Sequence, residues 1–149
     1  MSQDGFRYVY GPVPSRRLGR SLGIDLVPFK TCTYDCVYCQ LGRTTNKTVA
    51  RKEYIAVEDV LVEMERKLVV GPDPDFISLA GSGEPTLNAG IGDLILEIKK
   101  LTRIPVAVLT NGSLLWMPKV QEALMAADLV LPSPDSDYIT RKYPNVCIC

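Results

Sequence analysis

Beyond the first twenty residues, apolar positions alternate between two rhythms. Short runs rich in β-branched residues read as strands: residues 21–27 (SLGIDLV), 76–80 (FISLA), 106–110 (VAVLT) and 129–131 (LVL). Between them, Val57, Val60, Leu61, Met64 and Leu68 recur at helical spacing, as do Ile91, Leu94, Ile95, Ile98 and Leu101. A third helix is predicted from Pro118, a residue suited to a first turn, with Val120, Ala123, Leu124 and Ala127 along one face. End signals agree. Glu58 and Asp59 open the first helix, Arg66 and Lys67 close it, and Gly71-Pro72 stops it; Lys99, Lys100, Arg103 and Pro105 end the second.

The β-α-β-α-β-α-β order predicts an α/β fold with a parallel sheet covered by helices. Right-handed crossovers then bring the carboxyl ends of all four strands to one edge, where parallel α/β folds bind ligands. Each strand is followed by a loop rich in Gly, Pro, Cys or short polar residues. These are PFKTC at 28–32, GSGEPT at 81–86, NGS at 111–113 and PSPD at 132–135. Topology delivers all four to the same place.

Composition narrows the chemistry. The 149 residues suit about one domain, and 46% apolar with 23% charged residues are globular values. No apolar run approaches the roughly 18 residues of a membrane span, and the start lacks a signal peptide's basic and apolar regions, so a cytoplasmic protein without membrane contact is expected. Histidine is absent. Zinc hydrolysis and Ser-His or Cys-His nucleophilic catalysis therefore lose their usual parts. Five cysteines without a secretory signal favour metal or redox use over disulfides. The net charge of zero divides into +6 over residues 1–52 and −6 over 53–149. The basic segment reads either as a solvated face or as one that meets an anion such as a nucleic acid.

Cys32, Cys36 and Cys39 are spaced C-x3-C-x2-C. Thiolates bind soft metals and iron–sulfur clusters, and a short loop with three of them can wrap three corners of a four-iron cube. No fourth cysteine lies nearby, so one iron would stay open to a non-protein ligand. A zinc site that joins Cys36 and Cys39 to the distant Cys147 and Cys149 is the competing arrangement.

With Tyr38 just before the last cysteine, this loop resembles the signature of radical S-adenosylmethionine (SAM) enzymes. Residues 11–24 (GPVPSRRLGRSLGI) look like the lead-in of the Fe–S oxidoreductase branch, which is similar to wyosine-forming tRNA-modifying enzymes, and GSGEP at 81–85 looks like that branch's form of the family's GGE motif. The resemblance implies a partial (βα) barrel of the radical SAM type, of which this chain would hold roughly four strands and three helices. It implies a [4Fe-4S] cluster on Cys32, Cys36 and Cys39, with SAM chelating the open iron and being cleaved to a 5′-deoxyadenosyl radical. By the same match Tyr38 would pack near the adenine. Gly81, Ser82, Gly83, Glu84 and Pro85 would meet the methionine amino group, largely through backbone. Thr110 and Asn111 would reach the ribose or carboxylate, with Ser133 and Asp135 as further candidates. Glu84 also reads as a simple helix cap, Asn111-Gly112 as an ordinary turn, and Tyr34 and Tyr38 as packing residues. Arg16, Arg17 and Arg20 read either as solvated charges or as partners of the anionic cluster or a substrate phosphate. A one-electron reductant such as flavodoxin or ferredoxin is the implied partner, and tRNA a candidate substrate.

One domain over residues 1–149 is expected, incomplete because residues 134–149 depart from the family's pattern. Four parallel strands cannot close a barrel. The fourth strand is therefore expected at a sheet edge, where unpaired backbone invites self-association. The alternative reading is a non-catalytic Fe–S or zinc-binding fragment.

Overall fold

The strand alternation decides which face of the sheet the helices cover. In the computed structural model, which describes residues 5–33 and 44–132, the main sheet has five strands in the order β1 (Val9–Ser15), β2 (Gly19–Ile24), β5 (Phe76–Leu79), β6 (Val106–Thr110), β7 (Leu129–Pro132). A second, two-stranded sheet joins β3 (Thr31–Cys32) to β4 (Asn46–Lys47). Leu22 and Ile24, Ile77 and Leu79, and Val106 and Val108 point to one face. There they are buried under Val60 and Met64 of α1 (Val57–Val70), Leu94, Ile95 and Ile98 of α2 (Ile91–Leu101), and Val120 and Leu124 of α3 (Pro118–Leu124). Each such aliphatic side chain contributes about 1.5–3 kcal/mol by leaving water. Gly92 lets α2 approach α3, since a Cβ there would press on Ala123.

Strands β2, β5, β6 and β7 are parallel, and every crossover moves to the next strand in the same direction. A sheet wound one way places its helices on one face, as in a barrel; a doubly wound sheet reverses and covers both. The fold is thus an α/β partial barrel, as the sequence predicts. Among the described residues β7 is an edge, also as expected.

The opposite face carries Ser21, Gly23 and Asp25 of the β2 line, Ser78 and Ala80, and Ala107 and Leu109. The Ser21 hydroxyl donates to the Ser78 hydroxyl at 2.6 Å across this inner face.

One element corrects the sequence reading. The lead-in to the first predicted strand is itself a strand: β1 pairs antiparallel with β2, so the sheet is mixed rather than wholly parallel. Residues 9–15 (VYGPVPS) carry a glycine and two prolines, which oppose an interior strand but are tolerated at an edge and at a bulge. The register shifts between Tyr10 and Val13, at Gly11-Pro12. Glu63 of α1 fixes the start of this strand by accepting from the backbone N–H groups of Arg7, Tyr8 and Val9 at 2.8–3.2 Å. The first predicted strand, 21–27, is observed as Gly19–Ile24.

The structure also places the three arginines. Arg16 and Arg17 sit in the β1–β2 turn, and Arg20 at the amino end of β2 donates its backbone N–H to Asp75 and its guanidinium to the Asp73 carbonyl. A six-residue strand separates this edge from the carboxyl edge by about 16–20 Å. They are exposed at the opposite end of the sheet from Cys32 and Glu84, which favours the reading as solvated charges.

Candidate functional site

The carboxyl edge is assembled by hydrogen bonds between the loops that leave β2, β5 and β6. After β2 the chain crosses Lys30, held at φ 62°, and enters β3. Its parallel pairing with β4, extended by Asn46 N–H to the Lys30 carbonyl (3.2 Å) and Thr48 N–H to the Cys32 carbonyl (3.0 Å), closes the neck of the loop between Cys32 and Asn46. Cys32 is half-buried at that neck. Tyr34, Cys36, Tyr38 and Cys39 lie outside the described residues, as do Ser133, Asp135, Cys147 and Cys149. Among the described residues no three His, Cys, Asp or Glu side chains converge on a metal site. Cys32 itself, a soft donor placed half-buried where β3 ends, suits a cluster ligand.

The turn after β5 docks on this neck. The Glu84 N–H donates to the Thr31 carbonyl (3.1 Å), and the Lys30 N–H to the Ser82 carbonyl (2.7 Å). Gly83 is required by this approach, since any Cβ would collide with the Thr31 carbonyl. The missing side chain of Gly83 is thus accounted for by a contact within the protein.

Glu84 is buried and central. Its Oε1 accepts from the Thr86 hydroxyl (2.6 Å), the Thr86 N–H (3.3 Å) and the Thr110 hydroxyl (2.5 Å), and its Oε2 from the Asn111 N–H (2.7 Å). Burial pushes its carboxyl up, against the opposing pull of those donors. The simple-cap reading accounts for part of this: Glu84 caps the single 3-10 turn at Pro85–Leu87, where Pro85 takes the first position. The same carboxylate also ties the β5 loop to the end of β6. Thr110 spends its hydroxyl inside the protein, donating to Glu84 and accepting from the Gly112 N–H (3.0 Å).

Asn111 faces the cysteine strand. Its Nδ2 donates to Thr33 Oγ1 (2.8 Å) and lies 3.5 Å from Cys32 Sγ, while its Oδ1 accepts from the Ser113 N–H (3.0 Å). Thr33 and Ser113 share a hydrogen bond at 2.6 Å. The structure therefore gathers Cys32, residues 81–85, Thr110 and Asn111, the described members of the predicted set.

Sequence reasoning missed two residues, Asp25 and Tyr10. Asp25 follows β2 and accepts from the Ser82 N–H and hydroxyl; burial raises its carboxyl. The available signal was its phase, a charge out of step with Leu22, Ile24 and Leu26. Tyr10 stands on β1 with its ring over Gly23, leaving no room for a Cβ there.

Burial first, and then the charge of Asp25, push the Tyr10 phenol up to about 12. The folded chain thus keeps a proton that the unfolded chain releases near pH 10. Its share of stability is complete below pH 10 and is lost as pH climbs toward 12. Tyr10→Phe should remove this decline. The difference in unfolding free energy between variant and parent should change by about 2–3 kcal/mol across that window, read from urea midpoints. Parallel curves would show that the phenol is not shielded.

A one-way wound α/β sheet, with Cys32 beyond the carboxyl end of its first parallel strand, fits the radical SAM class. The family model described as "Radical SAM superfamily" matches residues 26–147, and the chain belongs to that superfamily. It is 48% identical over 128 residues to a GTPase Obg of Brachyspira hyodysenteriae, a match that covers 86% of this chain and 19% of that protein. It is 43% identical over 129 residues to a UPF0026 protein of Methanocaldococcus jannaschii (85% of this chain, 40% of the relative) and 45% identical over 127 residues to one of Synechocystis sp. (84% and 47%). The chain thus spans less than half the length of these relatives. No solved structure matches it. No described helix is long and apolar enough to cross a membrane.

Proposed function

We propose that this chain is the cluster-bearing part of a radical SAM enzyme, with Cys32, Cys36 and Cys39 as the ligands of a [4Fe-4S] cluster. The observation that carries this reading is the meeting of three loops at one edge, where Asn111 Nδ2 lies 3.5 Å from Cys32 Sγ and the 81–85 turn is bonded to the cysteine strand. When bound, the cluster would supply one electron for cleavage of SAM to a 5′-deoxyadenosyl radical that abstracts hydrogen from a substrate. The chain's own residues do the holding. Asn111 donates toward the Cys32 sulfur, which stabilises a thiolate. Glu84 sets the distance between the turn and Asn111, and the backbone groups of Gly81 and Gly83 would meet the methionine end of SAM. Tyr38 and Ser133 complete the proposed set. A flavodoxin or ferredoxin would deliver the electron, and tRNA is the candidate substrate that the basic first segment favours.

The test is reductive SAM cleavage by anaerobically reconstituted protein, followed as 5′-deoxyadenosine. SAM-dependent product is expected at well under about 1 per second, below usual enzyme turnover, because the chain spans less than half its relatives. Product should vanish in the triple Cys→Ala variant. A protein that assembles its cluster yet neither binds nor cleaves SAM would leave the second reading, a cluster- or zinc-holding fragment, which that same short coverage favours.

A further inference from the structure

The turn after β5 commits some of its backbone to the protein and leaves the rest open. The Ser82 N–H donates to Asp25 Oδ1 at 2.5 Å, and its hydroxyl to Oδ2 at 2.9 Å. The Ser82 carbonyl and the Glu84 N–H are taken by Lys30 and Thr31. Among the described residues, Gly81 and Gly83 make no hydrogen bond through either N–H or C=O. Two carbonyls and two N–H groups are thereby left beside the cysteine strand. Asp25 also fills the space where a side chain at position 81 would stand, and Gly81 adopts φ 116°, a conformation side chains resist.

We propose that Asp25 is a positioning residue for SAM: by clamping Ser82 it presents the open backbone groups of Gly81 and Gly83 to the amino-acid end of the ligand. That end carries an amino group for the carbonyls and a charged carboxylate for the N–H groups, whereas the adenine edge offers only uncharged donors and acceptors. The inference rests on the radical SAM reading above and adds a residue from a different strand to it. Asp25 touches the turn and acts only through it.

The experiment compares Asp25→Leu, Asp25→Asn and Ser82→Ala in the full chain with reconstituted cluster. Binding is measured for SAM and for 5′-methylthioadenosine, which lacks the amino-acid end. Asp25→Leu should weaken SAM about tenfold or more, while methylthioadenosine binding and iron content stay unchanged. Ser82→Ala, which removes one of two bonds, should weaken SAM about threefold, and Asp25→Asn should recover part of the loss because its amide oxygen still accepts. Cleavage at saturating SAM should stay within about twofold of the parent, so that KM moves and kcat does not. Unchanged SAM affinity would overturn the proposal. So would equal weakening of both ligands with loss of iron, which marks a merely structural role. If the parent protein binds no SAM, the radical SAM reading fails instead, and hydrogen exchange at the Ser82 amide judges the clamp alone: faster exchange in Asp25→Leu supports it and unchanged exchange overturns it. Should the leucine variant not fold, the Asn and Ser82→Ala variants carry the same comparison.

Discussion

Replacing Glu84 with Ala should cost about 4 kcal/mol of stability and separate the β5 and β6 loops. The side chain is buried and collects four donated bonds, from the Thr86 N–H and hydroxyl, the Thr110 hydroxyl and the Asn111 N–H. Alanine leaves those donors facing a void. Each buried unsatisfied group costs about 1–3 kcal/mol, though the two hydroxyls can turn toward other acceptors, so the losses do not simply add. Glu84→Gln keeps the volume and one acceptor oxygen but sets an NH2 group against a donor, and should cost about half as much. For a domain of ordinary stability, about 5–15 kcal/mol, the alanine variant is near the limit of folding. Urea midpoints give the free energies, and amide exchange at Asn111 reports the local separation. An alanine variant within about 1 kcal/mol of the parent would show that the carboxylate does not hold the two loops together.

The second large effect falls on metal content. Any one of Cys32→Ala, Cys36→Ala or Cys39→Ala should remove nearly all iron and the brown colour from anaerobically prepared protein. A cluster held by three thiolates, as proposed, would have no spare ligand, and the chain has no histidine to substitute. Cys147→Ala and Cys149→Ala should keep the parent's iron. Iron and sulfide analysis of the five variants checks this. Tail variants that lose iron while loop variants keep it would move the cluster to the other end of the chain. Asn111→Leu offers a finer comparison, because it removes the amide beside Cys32 Sγ without touching a ligand.

Local pattern and tertiary structure divided the work in a way that particular elements make plain. Strand β6, at Val106–Thr110, and α2, at Ile91–Leu101, fall where the sequence rhythm puts them. Both are long enough for the period to show, and both are bounded by Pro or basic residues. Helix α3 ends at Leu124, short of Ala127, because small residues with weak periodicity do not mark a boundary. Strand β1 escaped notice because glycine and proline argue against it locally. It exists as an edge strand beside β2, pinned by a glutamate 54 to 56 positions away.

The site divides in the same way. That Cys32, residues 81–85 and Asn111 share one edge follows from strand order alone, since parallel strands with crossovers align their carboxyl ends. The sequence therefore determined the class of fold, the edge where the loops meet, and the residues gathered there. It did not determine what each side chain does. Glu84 and Thr110 turn inward to each other, Gly83 makes room for the Thr31 carbonyl, and Asp25 clamps Ser82 from another strand. Arg16, Arg17 and Arg20, charged and near the cysteines in sequence, lie at the opposite edge. Those outcomes depend on contacts between residues 26 to 57 positions apart, with distances of a few ångströms deciding each, and no local period in the chain encodes such pairings. Only the folded sheet does.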